Sequence, residues 1–444
     1  MGVDPLQLSS AGWGVVYARD TRPEVRAALA PLLAWRRRQA GKYCKEYVVQ
    51  PGQTKDEFLA SYQAAHGPAD PRKVPYYLLL VGSPAEIPFQ FQYELDVQYA
   101  VGRLHFDSPE EYANYARRVV AVEGASPGER PQGLTLFGVT NPDDLATRRT
   151  TRRLIEPLAG ALDTAADSWR PRVLVGDQAT KARLASLLAG GPETPALLFT
   201  ASHGMVFPGD RGRILREQGA ILCQDWPGPE MWRGEIPREH YLAADDIGPD
   251  ADLRGLISFH FACYSAGTPH ESEFDHPLFA APKPLLDAPI LSALAKRMLG
   301  HPRGALAFLG HVDRAWTTSF DWIDAGPAAA GEAPPAQIET FQSMLERLLE
   351  GHPVGSAMEF VNSLHADLSV TLTHLFSDLA HARGPSRSVF SRVWRANNDA
   401  RGFVVLGDPA VRLPGPHRPA RSDVLDGHQD NGDGDGKPAA EGAG

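Results

Sequence analysis

The chain has 444 residues, 43% of them apolar and 22% charged, and its 44 basic and 54 acidic side chains leave a formal charge of −10. That length is too great for one ordinary core, so two α/β units are expected. The mildly acidic balance, with its basic residues scattered, argues against nucleic acid or an anionic membrane as the main partner. The three cysteines, Cys44, Cys223 and Cys263, lie far apart without a CxxC. This argues against a disulfide framework or a cysteine zinc site and suits a reducing compartment. No apolar run reaches membrane-spanning length, and the first twenty residues lack the basic-then-apolar pattern of a secretory signal. The expectation is a soluble cytoplasmic protein.

In chain order, short apolar, β-branched runs predict strands at Gly14–Tyr17, Tyr76–Val81, Leu134–Val139, Val173–Val175, Ala196–Thr200, Leu256–Ala262, Ala305–Leu309 and Phe403–Leu406. Segments of helical period lie between them, at Pro23–Arg38, Lys55–Ala65, Pro109–Val122, Thr180–Leu188, Pro284–Met298, Ile338–Leu349 and Gly355–Leu379. Buried strands alternating with helices predict an α/β protein with a mostly parallel sheet covered on both faces. The basic clusters Arg36–Arg38 and Arg148–Arg153 read as solvated helix faces.

Glu123–Gln132 (EGASPGERPQ) is the best candidate for a link between units, and Ala325–Pro335 reads as a mobile surface loop. This divides the chain into an N-terminal α/β subdomain over 1–125, a catalytic domain over 126–414 and a tail over 415–444. The tail, rich in Pro, Gly, Asp and His, cannot bury enough apolar surface to offset its ordering entropy and is expected to be disordered. Its Asn431–Gly436 run (NGDGDG) hints at a calcium loop, but Gly442 stands where the bidentate Glu belongs. The stretch Phe207–Asp245 is long and irregular. Inside a compact domain such a segment is usually functional or mobile, and here it suggests a lid or a processing loop.

In parallel sheets, sites form at the carboxyl ends of strands, and two predicted strands end in reactive residues. One reads Ala-Leu-Leu-Phe-Thr-Ala-Ser-His203-Gly204; the other reads Leu-Ile-Ser-Phe-His-Phe-Ala-Cys263-Tyr-Ser-Ala-Gly. The spacing, 263 − 203 = 60 residues, is enough for a loop, a crossover and a return to a neighbouring parallel strand. Taken singly, a cysteine at an apolar strand end is more often an inert core residue, and His-Gly is often a turn. Jointly they fit a nucleophile and its base: a thiol near its free pKa is mostly protonated at neutral pH and needs a neighbouring imidazole. The backbone N–H groups of Gly204 and Cys263 are candidate oxyanion donors. His260, three residues before Cys263, has strand parity for the opposite face and reads as structural. Cys223 reads as a core cysteine and Asp408 as a structural turn residue.

The pair SHG…FACYSAG resembles the clan of caspases, gingipains, separases and CHAT-domain proteases, in which His-Gly precedes a Cys after a hydrophobic strand. The stretches YYLLLVGSPAEIPF (76–89), AVGRLHFDSPEEYANYARRVVAVE (100–123) and FVVLGDPAVRLP (403–414) resemble the gingipain-type peptidase family, and GHVDRAWTTSF (310–320) its bacterial gingipain-like and CHAT-like relatives. The resemblance implies a caspase-like fold with a gingipain-like N-terminal subdomain that holds no catalytic residues. It also implies a His203–Cys263 dyad, a protein or peptide substrate and no cofactor or metal. The signal peptide, pro-segment and adhesin regions of secreted gingipains are not visible here, so an intracellular relative is expected.

In that clan the loop beyond the strand after the Cys lines the primary specificity pocket, which puts Asp313 and Trp316 there. Asp313 would favour Arg or Lys at P1 and Trp316 would form an apolar wall. Asp210, near His203, is a further candidate contact. The run HESEFDH (270–276) carries two His and three acids but lacks the HExxH pattern, and reads as a solvated loop beside the site. The first functional reading is a regulated cytosolic endopeptidase, activated by a partner protein or by self-cleavage, with bacterial defence or cell death as a conceivable setting. The second is a catalytically inactive caspase-like binding or scaffold module, and a weaker third is a cysteine transferase or amidase.

Overall fold

A computed structural model describes residues 3–125, 133–163, 169–275, 284–321, 337–381, 384 and 387–413. The tail from Gly415 with its Asn431–Gly436 run, all of 325–335 and the greater part of 123–132 lie outside the described residues.

Ten strands form one sheet: β1 (Trp13–Ala18), β2 (Cys44–Val49), β3 (Tyr77–Val81), β4 (Ala100–Leu104), β5 (Leu134–Gly138), β6 (Pro171–Val175), β7 (Leu197–Ala201), β8 (Ile257–Phe261), β9 (Ala307–His311) and β10 (Phe403–Gly407). Their order across the sheet is β2-β1-β3-β4-β10-β9-β8-β7-β5-β6. β1 to β4 pair in parallel, as do β5 to β9, while β10 runs antiparallel to β9 and meets β4 through Val405 and Leu406 opposite Gly102 and Arg103. The two expected units thus share a single, mostly parallel sheet flanked by helices, as the alternating pattern implies.

Eight strands fall within a residue or two of the expected runs. The two unexpected ones have polar interruptions. β2 (CKEYVV) carries Lys45 and Glu46 and sits at the sheet's edge, where one side needs no burial. β4 (AVGRL) contains Gly102 and Arg103. A Cβ on Gly102 would lie 2.2 Å from the Gly407 carbonyl, and the fully buried Arg103 donates to Gln92, Gly82 O and Pro88 O.

The central strands are enclosed on both faces. Phe199 of β7 and Phe259 of β8 stack at 4.7 Å, with Phe341 of the helix Glu339–Leu349 edge-on to both. Buried rings contribute through apolar area and edge-to-face geometry together. Phe207–Asp245 is largely irregular, as expected, and packs on a small core of Met205, Phe207, Leu222, Trp226 and Tyr241. Two expectations fail. Pro284–Met298 is helical only from Ala293 to Gly300. Arg36 is not solvated: only 1% exposed, it is held between Glu123 and Asp408 at 2.7 Å each, and Asp408 also accepts from the Trp13 indole N–H.

Candidate active site

β7 and β8 pair in parallel from Leu197 opposite Ile257 to Ala201 opposite Phe261, a constant offset of 60 residues. His203 and Cys263 differ by the same 60, and each lies two residues beyond the last paired position. Adjacent strands therefore deliver them at one level of the same sheet edge. The Ser202 N–H, donating to the Phe261 carbonyl at 3.1 Å, carries the pairing to their doorstep.

The imidazole has a partner that no sequence motif indicated. His203 Nε2 lies 2.6 Å from Asp144 Oδ2. Asp144 is the N-cap of the helix Leu145–Thr150, and its other carboxylate oxygen accepts the Ala146 N–H at 3.0 Å and the Thr147 N–H at 3.4 Å. Burial works to raise the Asp144 pKa, but the hydrogen bond and charge of His203 and the two helix N–H groups hold it below the usual aspartate value. An ionised carboxylate only accepts, so Nε2 carries the imidazole proton and Nδ1 is left as the basic nitrogen. Sequence reasoning missed Asp144 because NPDDL reads as a turn. The one available signal was an Asp placed before an apolar helical start.

Cys263 opens a constrained turn. Tyr264, the next residue, has φ = 56°, a left-handed conformation uncommon for an aromatic side chain and maintained only by surrounding bonds. Its N–H donates to the Asp313 carbonyl at 2.6 Å, and the Ala266 N–H donates to the His311 carbonyl at 3.0 Å. The thiol donates weakly to the Ala315 carbonyl, with Sγ 3.7 Å from the oxygen. Burial pushes the Cys263 pKa up to about 11. The Ala315 bond and Arg314 oppose this, and Asp313 and Asp399 reinforce it. Cys263 therefore rests as a thiol. Gly204 presses against it: a Cβ there would lie 1.7 Å from the Cys263 carbonyl oxygen, so only glycine fits. Among the described residues, neither the Gly204 nor the Cys263 N–H has a backbone acceptor.

His203 and Cys263 share a cleft of about 460 Å³. One wall is Leu145 to Thr150 and the other Arg314 to Thr317, with Phe261 also in the lining. Of the expected contacts, Trp316 lines this cleft. Asp313 does not: it is fully buried, its carboxylate accepts from Ser272 Oγ, the Glu273 N–H and the Arg314 N–H, and it braces the loop from behind. Asp210 lines an adjoining hollow that shares His203, and it caps the helix Arg211–Glu217 by accepting the Arg213 N–H. Arg149 corrects the solvated-face reading of Arg148–Arg153. It lines the cleft, and with Arg153 it pairs with the buried carboxylate of Asp321. His260 is fully buried, its Nδ1 2.8 Å from Thr200 Oγ1, and burial lowers its pKa to about 3. Cys223 is buried in the core and Cys44 is partly buried, and all three cysteines are unpaired. Of HESEFDH, His270 bonds the Leu286 carbonyl and Ser272 bonds Asp313, while residue 276 lies outside the described residues.

No protein-family model matches the chain and no curated protein matches it. Solved structures do. The Arg-specific cysteine proteinase gingipain R matches at 13% identity over 93% of this chain and 80% of its own, with a TM-score of 0.53. The complex of the Porphyromonas gingivalis RgpB pro- and mature domains matches at 13% identity, covering 92% and 80%, with a TM-score of 0.51. A structure described as a protease matches at 14% identity, covering 92% and 79%, with a TM-score of 0.50. At such identities the likeness is one of fold: the chain has the architecture of a gingipain-type cysteine proteinase.

Proposed function

We propose that this chain is a cysteine endopeptidase in which Cys263 is the nucleophile, His203 the general base and Asp144 the residue that orients the imidazole. The observation that carries this reading is the common offset of 60. It brings a thiol and a carboxylate-held imidazole to one edge of two paired strands, beside an open cleft.

The chemistry follows from these groups. His203 Nδ1 takes the thiol proton as sulfur attacks the peptide carbonyl carbon. The oxygen becomes an oxyanion facing the Gly204 and Cys263 N–H groups. The C–N bond then breaks as the imidazolium returns the proton to the leaving amine. Water, deprotonated by the same nitrogen, hydrolyses the thioester and frees the thiol. Asp144 stabilises the imidazolium in the correct tautomer and stays ionised throughout.

The resting thiol, bonded to Ala315 and lacking a hydrogen bond to His203 among the described residues, supports a regulated enzyme. The thiol must turn from the Ala315 carbonyl towards His203 before proton transfer. Three unpaired cysteines fit a reducing, cytoplasmic setting. The test is a library of fluorogenic peptides beside a Cys263→Ala control. Cleavage that vanishes in the control is expected. Cleavage that persists there would refute the assignment.

A further inference from the structure

The walls of the cleft beside Cys263 carry charge of one sign. Arg149 comes from one side and Arg314 from the other, and among the described residues no carboxylate lines the cleft. Four acids near the cleft are held by other partners, and Asp275 stands 3.7 Å from Arg314 without lining the cleft. Asp144 is bonded to His203, and Asp313 is closed off behind the loop. Asp321 is shared between Arg149 and Arg153. Asp399 accepts from the Trp316 N–H, Thr318 and Ser319.

The other wall has unmet donors. Arg314 Nε and Trp316 Nε1 are buried and, among the described residues, have no hydrogen-bond partner. Arg314 reaches Ser272 Oγ at 2.9 Å through one terminal nitrogen, but its approaches to Asp275 and Asp313 are 3.7 Å, too long for hydrogen bonds. Those two atoms are closed off from solvent, and the Arg314 side chain as a whole, 39% exposed, is what the cleft meets on this wall. The charged side chains that line the cleft are cations, and its acceptors are neutral, the hydroxyls of Thr147, Thr150 and Thr317 among them. An Arg or Lys side chain entering it would meet like charge and no carboxylate in the described lining.

We infer that this cleft is the primary specificity pocket and selects a carboxylate side chain, Asp or Glu, at P1, with Arg149 and Arg314 as the residues that read it. This rests on the peptidase reading above, names its substrate class and reverses the basic preference expected from Asp313. A planar guanidinium fork matches a carboxylate in geometry as well as charge. Trp316 supplies an apolar wall.

The test uses the intact protein and tetrapeptide substrates identical at P2–P4 and differing only at P1: Asp, Glu, Ala, Lys and Arg. The same sequences are also presented as acyloxymethyl ketones. Asp or Glu is expected to exceed Lys and Arg in kcat/KM by roughly tenfold to a hundredfold, the usual reach of charge-assisted hydrogen bonds. In Arg314→Ala and Arg149→Ala the acid-to-alanine ratio is expected to fall at least about tenfold. Cys263-dependent cleavage that favours Lys, Arg or Ala would overturn the inference and leave the peptidase reading standing. Acid-selective cleavage whose ratio is unmoved by either substitution would overturn the assignment to these two arginines. If no peptide is cleaved and no ketone labels Cys263, the peptidase reading itself fails and the pocket assignment falls with it.

Discussion

Two arginine clusters in this molecule use the same chemistry to opposite ends. Around Arg36, in the N-terminal half, one guanidinium is enclosed by Glu123 and Asp408, and its donors are occupied. Around the cleft, Arg149 pairs with Asp321, and Arg314 retains an unmet donor. The first cluster is closed and ties the helix Ala30–Ala40 to the turn after β10. The second is open and faces a cavity that contains a thiol and an imidazole. A buried ion pair is retained because breaking it leaves an uncompensated charge, whereas an underpartnered cation at a cleft is available to a ligand. The closed cluster belongs to the half of the sheet away from the cleft, and the open one to the half that carries His203 and Cys263.

The largest expected effect lies on the cleft side. Asp144→Asn keeps the shape but has one acceptor oxygen for two roles, the helix N–H groups and His203 Nε2, so its NH2 faces the imidazole and favours the wrong tautomer, and kcat should fall by roughly 10²- to 10⁴-fold, as is usual for general acid–base groups, with KM little changed. Steady-state kinetics on any cleaved peptide checks this, and a loss confined to KM would contradict the role. On the side away from the cleft, Arg36→Ala leaves two buried carboxylates facing each other and should cost about 3–5 kcal/mol in denaturant unfolding. A cost under about 1 kcal/mol would show that the closed cluster is less closed than its distances imply.

Next in size is the reactivity of Cys263. A raised pKa favours the neutral thiol, so at pH 7, with the thiol at about 11, roughly one molecule in 10⁴ carries the thiolate. Iodoacetamide labelling of Cys263 should therefore quicken about tenfold per pH unit between pH 7 and 10. A rate already at plateau near neutrality would mean a preformed thiolate–imidazolium pair instead. The smallest effect is Arg149→Ala on stability. That side chain is 37% exposed, and the change should cost under about 1 kcal/mol, in contrast to Arg36→Ala.

How legible all this was in the sequence depended on whether chemistry and pattern agreed. Strands such as LLFTA and ISFHF are apolar throughout because both faces are covered, so their period and their terminal His and Cys could be read directly. CKEYVV and AVGRL could not, since an edge position and a buried Arg103 with three carbonyl or amide acceptors put polar residues where a core strand would have none. Asp144 was hidden by distance: 59 residues separate it from His203, and only the chain's path around β5 brings them together. Asp313 misled for a local reason. Its φ of 70° turns the loop so that its carboxylate points into the protein, and Arg314 and Trp316 take the cleft wall instead. Charge sign along a loop does not reveal which side chain faces the cavity.

The most direct measurement of the central claim is a peptide acyloxymethyl ketone incubated with the wild-type chain and with His203→Ala, the modified residue being mapped by mass spectrometry. The account predicts a single adduct on Cys263 that forms at least about a hundredfold more slowly without the imidazole. Labelling spread over Cys44 and Cys223, or labelling of Cys263 at the same rate in both proteins, would contradict it.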